Sequence, residues 1–544
     1  MKPSTEAAQG APFLKKLAIY GRLSGPGWLQ AAVTLGGGSL VGALYLGVIG
    51  GNELLWLQPL AMLFGVVMLA ALAYITLSTE ETPFVSTCKH ISPVLAWAWL
   101  LATVIADCVF CPAQASLGLG IVQQNFGLSA ANPYLITGLM AVIAYAVVYF
   151  YSSGSKGVAT FENILKVMVG IVILCFFGAA AVHMANGNVA LGSVLKGFIP
   201  DFSSLFSPAE TLQSAISATG SHATYWEGLI GNQQRSIIIT AFGTAVAINM
   251  TFLLPYTLKK KGWSKGEREL SRYDLGLGLA LPFVIAASFL VITASAQFHG
   301  KADDILNAEG KPIALETGYY NNLKGRLAAA EIPFTEETLQ ATADALPLAD
   351  RQLAAYITKR DARQLATALA PLVGEKPSQL IFGIGILAMA VSTMIVHMLM
   401  NGFAISQAMG KPGSKKPFLI GAAIPAITAA LAPYLWSGAN KTAMAVPASV
   451  IATTLLPIAY LIFILLMNSK GTLGSEMLRG SKRIIVNLLM GIGLFLAGFA
   501  SVWALLNKGT PGFYGLIILG ALAAIGIISF ILKNRQTAQP THQR

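Results

Sequence analysis

The sequence predicts an all-α integral membrane protein of about twelve transmembrane helices. Three observations carry this. Of the 544 residues, 55% are hydrophobic and 11% are charged, where soluble domains carry about 25% charged residues; the mean hydropathy is +0.65. Twelve apolar segments come close to or exceed the ~20 residues that a helix needs to cross the hydrocarbon core. The Lys and Arg residues cluster on alternate connections, the pattern of the positive-inside rule. The net charge of +12 sits in short clusters between apolar segments, which excludes a nucleic-acid surface. Residues 1–23 are polar and the first apolar segment is long enough to span, so no cleavable signal is expected.

In order, the segments fall at 28–50, 54–77, 93–126, 133–152, 160–184, 235–258, 274–297, 378–408, 417–436, 446–467, 484–506 and 512–532. Pro112 predicts a tilt or kink in the third. Lys15, Lys16 and Arg22 precede the first segment, Lys89 follows the second, Lys156 the fourth, Lys259–Lys261 the sixth, Lys415 and Lys416 the eighth, Lys482 and Arg483 the tenth, and Lys533 the last. With twelve crossings all lie on one side, which places both termini (residues 1–27 and the 533–544 tail) in the cytoplasm of a cell with a prokaryotic inner membrane. The stretch 185–234 is too polar for a further crossing. It reads as an external loop, partly re-entrant, in which His222 and Glu227 are solvated residues rather than a metal pair. The hydrophilic insert 299–376 holds 9 Lys/Arg and 11 Asp/Glu. Two parts read as helices, about 316–330 and Ala349 to Leu372, with Leu353, Ile357, Leu365, Leu369 and Leu372 at three- and four-residue steps. It reads as an external cap over the outer vestibule. Cys88, Cys108, Cys111 and Cys175 lie in or beside apolar segments and are expected to pack.

The first segment contains Leu35-Gly36-Gly37-Gly38-Ser39-Leu40. Each glycine inside a helix costs about 1 kcal/mol relative to Ala, and in lipid the freed backbone groups need partners. Helix-packing motifs space their small residues four apart. Three in a row instead predict a discontinuous helix whose exposed backbone forms a binding site near the bilayer midplane.

Gly25-Pro26-Gly27-Trp28-Leu29 and, seven residues on, Gly36-Gly37-Gly38-Ser39-Leu40 resemble the first span of NRAMP-type metal-ion transporters, which reads G-P-G-F-L and then, at the same spacing with no gap in the alignment, D-P-G-N-L. Gly243 to Leu254 resembles that family's sixth span, G-A-T-V-M-P-H-N-L-Y-L-H, and is followed by a basic loop and Asp274. Asp107 stands where the family has the Asp of D-L-A-E, with Phe110 at the Glu. Val391-Ser392-Thr393 is similar to its S-S-T, and Leu456-Pro457 to its L-P-F. The resemblance implies a LeuT-type fold of two inverted five-helix repeats, 28–184 and 235–467, with segments one and six broken and 484–532 added as two further helices. Gly243, Asn249 and Pro255 in the sixth segment match the place of the glycines in the first.

The resemblance also places the family's metal ligands, an Asp and an Asn in the first span, a Met and a carbonyl in the sixth and a Gln in the tenth, at Gly36, Ser39, Ala247, Thr244 and Ser449. The carboxylate and the thioether are gone from those positions. A bare divalent ion there would lack a counter-charge in low dielectric. The two half-helix N-termini, near Gly38-Ser39 and near Ile248-Asn249, present N–H groups and positive dipole ends, and Ser39, Thr244, Asn249, Thr251 and Ser449 can donate hydrogen bonds. These features predict a secondary transporter of a small inorganic anion, bicarbonate above others. The alternatives are a carrier of Mg²⁺ or Mn²⁺ with its hydration shell kept, and a non-transporting receptor. Asp107 and His397 are the deep ionisable residues, and intramembrane ionisable groups are functional candidates; they are expected to couple transport to H⁺ or Na⁺. No nucleophile–base pair, nucleotide loop or cofactor signature is present, so neither an enzyme nor a cofactor is expected; the partners are the small ion, the coupling ion and the lipid bilayer.

Overall fold

The computed structural model describes residues 11–152, 155–314, 316–438 and 440–538. The first ten residues and those after Ala538, parts of the two termini expected in the cytoplasm, lie outside the described residues. All twelve apolar segments are helical. The first is Pro26–Thr34 plus Gly37–Gly50, bent by 52° at the glycines. The second is Leu57–Ser78, the third Pro93–Gly120, the fourth Pro133–Tyr151 and the fifth Ser155–Ala185. The sixth is Ala223–Ala245 plus Met250–Lys260. The seventh runs from Arg268 through a wide turn at Leu275–Ala280 to Phe298. The eighth is Glu375–Ala408, the ninth Lys415–Ala430, the tenth Ala445–Met467, and the last two are Gly480–Leu506 and Gly509–Ala538. Among the described residues nine helices are long and apolar enough to cross a membrane, or ten with the bent first pair counted as one. The ninth segment, at 16 residues, is shorter than a usual span.

Burial orders these helices around the broken pair. The most apolar window of the sixth segment is 94% buried and that of the twelfth only 6%. The first and sixth segments are therefore the axis, and the eleventh and twelfth lie at the rim. Interrupted backbone belongs at such an axis, where protein and not lipid meets the freed N–H and C=O groups.

Two expectations are corrected. The sixth helix begins at Ala223, twelve residues before the expected start, inside the stretch read as an external loop. Its first turns pack against the insert: Trp226 and Ile230 share a second apolar core with Leu212, Tyr319, Leu323 and Leu353. Gln234 instead ties the helix to the connection that precedes it. Gln234 Nε2 donates to Ser207 O at 2.9 Å, and Gln234 Oε1 accepts from Ala209 N at 3.1 Å. In the insert, Thr317–Ala329 is helical as expected, but the second helix stops at Tyr356 and resumes only at Ala362. Arg360, fully buried, causes the stop. Its guanidinium donates to the carbonyls of Ala355, Tyr356 and Thr358 at 3.1, 3.0 and 2.8 Å and pairs with Asp304 at 3.0 Å. Pro112 does not interrupt the third helix.

Candidate ion site at the paired helix breaks

Gly36 is extended, with φ −70° and ψ 170°, between the two halves of segment one. Side chains cannot be added here freely. A Cβ on Gly36 would stand 2.3 Å from Thr393 Oγ1 and 2.8 Å from Val33 O, and one on Gly37 would stand 2.1 Å from Leu117 Cδ2. The glycines at 36 and 37 thus let segment one approach segments three and eight. Gly38 is roomier: its nearest neighbour is Gln114 Nε2, at 3.2 Å.

Segment six is non-helical from Val246 to Asn249. The two breaks face one another. Ser39 Oγ donates to Thr244 O at 3.3 Å, and Thr34 Oγ1 to Ala245 O at 3.1 Å. Between them lies a cavity of ≈ 20 Å³, lined by Gly38, Ser39, Gln114, Thr244, Ala247 and Met250, with Val33, Phe110, Thr393 and His397. Space of this size holds about one water or one ion.

Of the residues singled out from the sequence, Gly38, Ser39, Thr244, Ala247 and His397 line this cavity. Gly36 and Gly37 lie beside it in packing roles. Thr251 is turned away: its Oγ1 accepts from Trp99 Nε1 at 2.7 Å and also donates to Ile248 O. Ser449 is buried, and its Oγ donates to Ala445 O one turn back, at 2.7 Å, so the hydroxyl is spent within its own helix.

Asn249 does not face the cavity either. Its Oδ1 accepts from Met250 N at 3.1 Å and caps the second half of segment six. Its Nδ2 donates to Asp107 Oδ1 at 2.7 Å and stands 3.0 Å from His397 Nδ1. His397 Nδ1 is in turn 3.0 Å from Asp107 Oδ1. Asp107 and His397, 0% and 2% exposed, therefore form a buried pair one layer behind the cavity, reaching it through the imidazole. Phe110 stacks on that ring, centroids 5.3 Å apart.

Two residues missed from the sequence matter here. Met250 lines the cavity, and its sulfur accepts from Ala247 N at 3.4 Å and lies 3.7 Å from Thr34 Oγ1. The thioether judged absent from position 247 is thus supplied three residues later, because the unwound turn carries Met250 back to the break. Gln114 is the second. It lies seven residues after Asp107, two turns along one face, and a lone amide at that spacing in an apolar segment was the available signal. Its Oε1 has no hydrogen-bond partner, and neither do Asp107 Oδ2 and Gln30 Oε1. Among the described residues no group of three or more His, Cys, Asp or Glu side chains is placed to hold a metal ion.

No curated protein sequence matches the chain. Its fold is similar to that of a manganese transporter from Eremococcus coleocola. A histidine-to-alanine mutant of that protein matches with a TM-score of 0.64 at 13% identity, covering 97% of each chain. Its complex with an aromatic bis-isothiourea substituted compound matches with a TM-score of 0.62 at 14% identity, again over 97% of each. A family model described as natural resistance-associated macrophage protein-like matches residues 27–323 and 348–505. The chain belongs to the Nramp family of membrane transporters.

Proposed function

We propose that this transporter carries a small divalent cation of the Mn²⁺ or Mg²⁺ class by alternating access about the two breaks, with Asp107 and His397 taking up the coupling proton. The same reading takes the chain as a pair of inverted five-helix repeats with twelve crossings and both termini in the cytoplasm. The observation that carries the cation is the lining of the cavity. Met250 offers a thioether, a soft ligand suited to a transition metal, and shares the lining with the amide of Gln114. The C-terminal carbonyl ends of Pro26–Thr34 and Ala223–Ala245 also meet at the breaks, and such ends coordinate cations in transporters. The manganese transporter of similar fold handles an ion of the same class. Among the described residues no carboxylate lines the cavity, and the carboxylate nearest to it is Asp107, which reaches it through His397.

Bicarbonate is the second reading. It is favoured by the N-terminus of Gly37–Gly50, which has no side-chain cap and starts at the cavity. The test is uptake into proteoliposomes carrying an internal pH dye and a divalent-metal dye. Mn²⁺ entry with internal acidification, independent of bicarbonate, is expected. Alkalinisation driven by an inward bicarbonate gradient, with no metal signal, overturns the cation reading. Gly38→Asp separates the two by charge. It should keep or raise metal uptake, whereas an anion site would be abolished. Gly36→Asp, the substitution that the family comparison suggests, cannot serve, because its Cβ collides with Thr393 and Val33.

A further inference from the structure

A second cavity, of ≈ 470 Å³, lies where the insert meets the membrane helices. Its walls include Lys359, Glu316, Asp361, Thr317 and Gly318 from the insert and Trp436 from the connection before segment ten. It shares no lining residue with the central cavity. A polar seal stands between them. Tyr45 Oη donates to Arg360 O at 2.9 Å and lies 3.0 Å from Thr442 Oγ1, which reaches the same carbonyl at 3.3 Å. Tyr45 is six residues beyond Ser39 on one helix, about 9 Å along its axis.

The charges in this cavity are only partly used. The Lys359 carbonyl accepts from Asn440 Nδ2 at 2.8 Å, which fixes its main chain. Its ammonium, mostly buried, makes no hydrogen bond or ion pair among the described residues. Burial holds Lys359 below the usual lysine range with no acid opposing it. Glu316 gives one oxygen to Gln364 Nε2 at 3.0 Å, and Asp361 gives one to Gln364 N at 2.9 Å. Glu316 keeps its second oxygen. Thr317 and Gly318 begin a 13-residue helix that has no side-chain cap. A plain anion would meet two carboxylates here, and a plain cation would meet Lys359. A ligand with both signs meets a partner for each.

We propose that this outer cavity binds a small zwitterion, an α-amino acid in chemistry, with its carboxylate on Lys359 and its ammonium on Glu316 and Asp361. The volume lies within the roughly 300–1,000 Å³ of small-molecule sites, and the Trp436 ring gives an apolar wall for a side chain. The site is independent of which ion the central cavity carries.

Equilibrium binding of radiolabelled L-alanine to the full-length protein in lipid nanodiscs tests this. Saturable binding is expected, with acetate and ethylamine competing at least about ten-fold more weakly than unlabelled L-alanine, since each satisfies one charge only. Lys359→Met should weaken L-alanine about ten-fold or more, Lys359→Arg should retain binding, and Glu316→Gln should weaken L-alanine while sparing acetate. Absence of saturable wild-type binding up to roughly 10 mM, beyond the weak end of specific affinities, overturns the proposal. So does a Lys359→Met protein that binds like wild type. Acetate competing as well as L-alanine overturns the zwitterion. Competition on the wild-type protein decides the matter even where a variant fails to fold.

Discussion

Replacing Asp274 with alanine is expected to free the first half of segment one. The Asp274 carboxylate accepts from Ser24 Oγ, from Gly25 N at 3.0 Å and from Gly27 N at 2.6 Å. It thereby caps Pro26–Thr34, whose N-cap residue Gly25 has no side chain to do so. The contact is close: a Cβ on Gly27 would stand 2.2 Å from Asp274 O. Hydrogen bonds to a charged group contribute about 1.5–3 kcal/mol each. Water replaces part of this at a freed helix end, so the three bonds together contribute about 3 kcal/mol to holding the half-helix down. At 1.4 kcal/mol per decade, that makes opening roughly a hundred-fold more frequent. Hydrogen–deuterium exchange on the full-length protein in nanodiscs reads this directly. Peptides covering residues 24–34 should exchange about a hundred-fold faster in Asp274→Ala, with segments three and eight unchanged. Exchange within about three-fold of wild type would show that Asp274 does not hold this helix, and the latch would be refuted.

Two further outcomes follow from buried charges. Asp107→Asn and His397→Gln should each remove the proton signal that accompanies uptake, and the double variant should be no worse than either single one, because the pair acts as a unit; additive losses with proton coupling intact would sink this assignment. Asp350→Ala leaves Arg326 buried without its counter-charge, the two having been 2.8 Å apart and 1% and 2% exposed. Removing one partner of such a pair costs about 3–5 kcal/mol, and Trp226 Nε1, which donates to Asp350 at 2.6 Å, is left unpaired as well. Limited proteolysis should therefore cut within 299–376 sooner than in wild type, and an unaltered digestion pattern would count against the buried network.

The break in segment one was legible because three glycines in a row lack the four-residue spacing of helix-packing motifs. The break in segment six was less so, since Val246 to Asn249 contains neither Gly nor Pro, and beside the resemblance only Gly243, Asn249 and Pro255 around it pointed to it. The start of that segment was misplaced for a physical reason. Trp226 and Ile230 face the insert and Gln234 the preceding connection, not lipid, so a hydropathy reading sees them as loop. Among the candidate site residues, a sequence gives the face of a helix but not the rotamer. Ser449 sits on a helix packed against segment six, yet its hydroxyl turns back to Ala445. Met250 was out of reach for the opposite reason: the register of an unwound turn decides whether position 247 or 250 presents its side chain to the cavity, and alignment without a gap cannot show that.

The geometry around Asn249 ties the proton to the moving helix. Asn249 Nδ2, Asp107 Oδ1 and His397 Nδ1 lie 2.7, 3.0 and 3.0 Å apart. These three contacts cannot all be hydrogen bonds in one protonation state. When His397 Nδ1 carries a proton it donates to Asp107, and the Asn249 N–H that faces it must turn aside. When Nδ1 is bare it can accept from Asn249, and Asp107 must carry the proton if its Oδ1 is not to face a lone pair. Either change re-aims the side chain of Asn249, whose other end caps Met250–Lys260 through Met250 N. Under the proposed function, proton gain and loss at Asp107 and His397 is thus read out as a change in the N-cap of the half-helix that carries Met250. A cation arriving at the Met250 sulfur and a proton arriving at Asp107 act on the same few residues from opposite sides, and coupling between them needs no longer path through the protein.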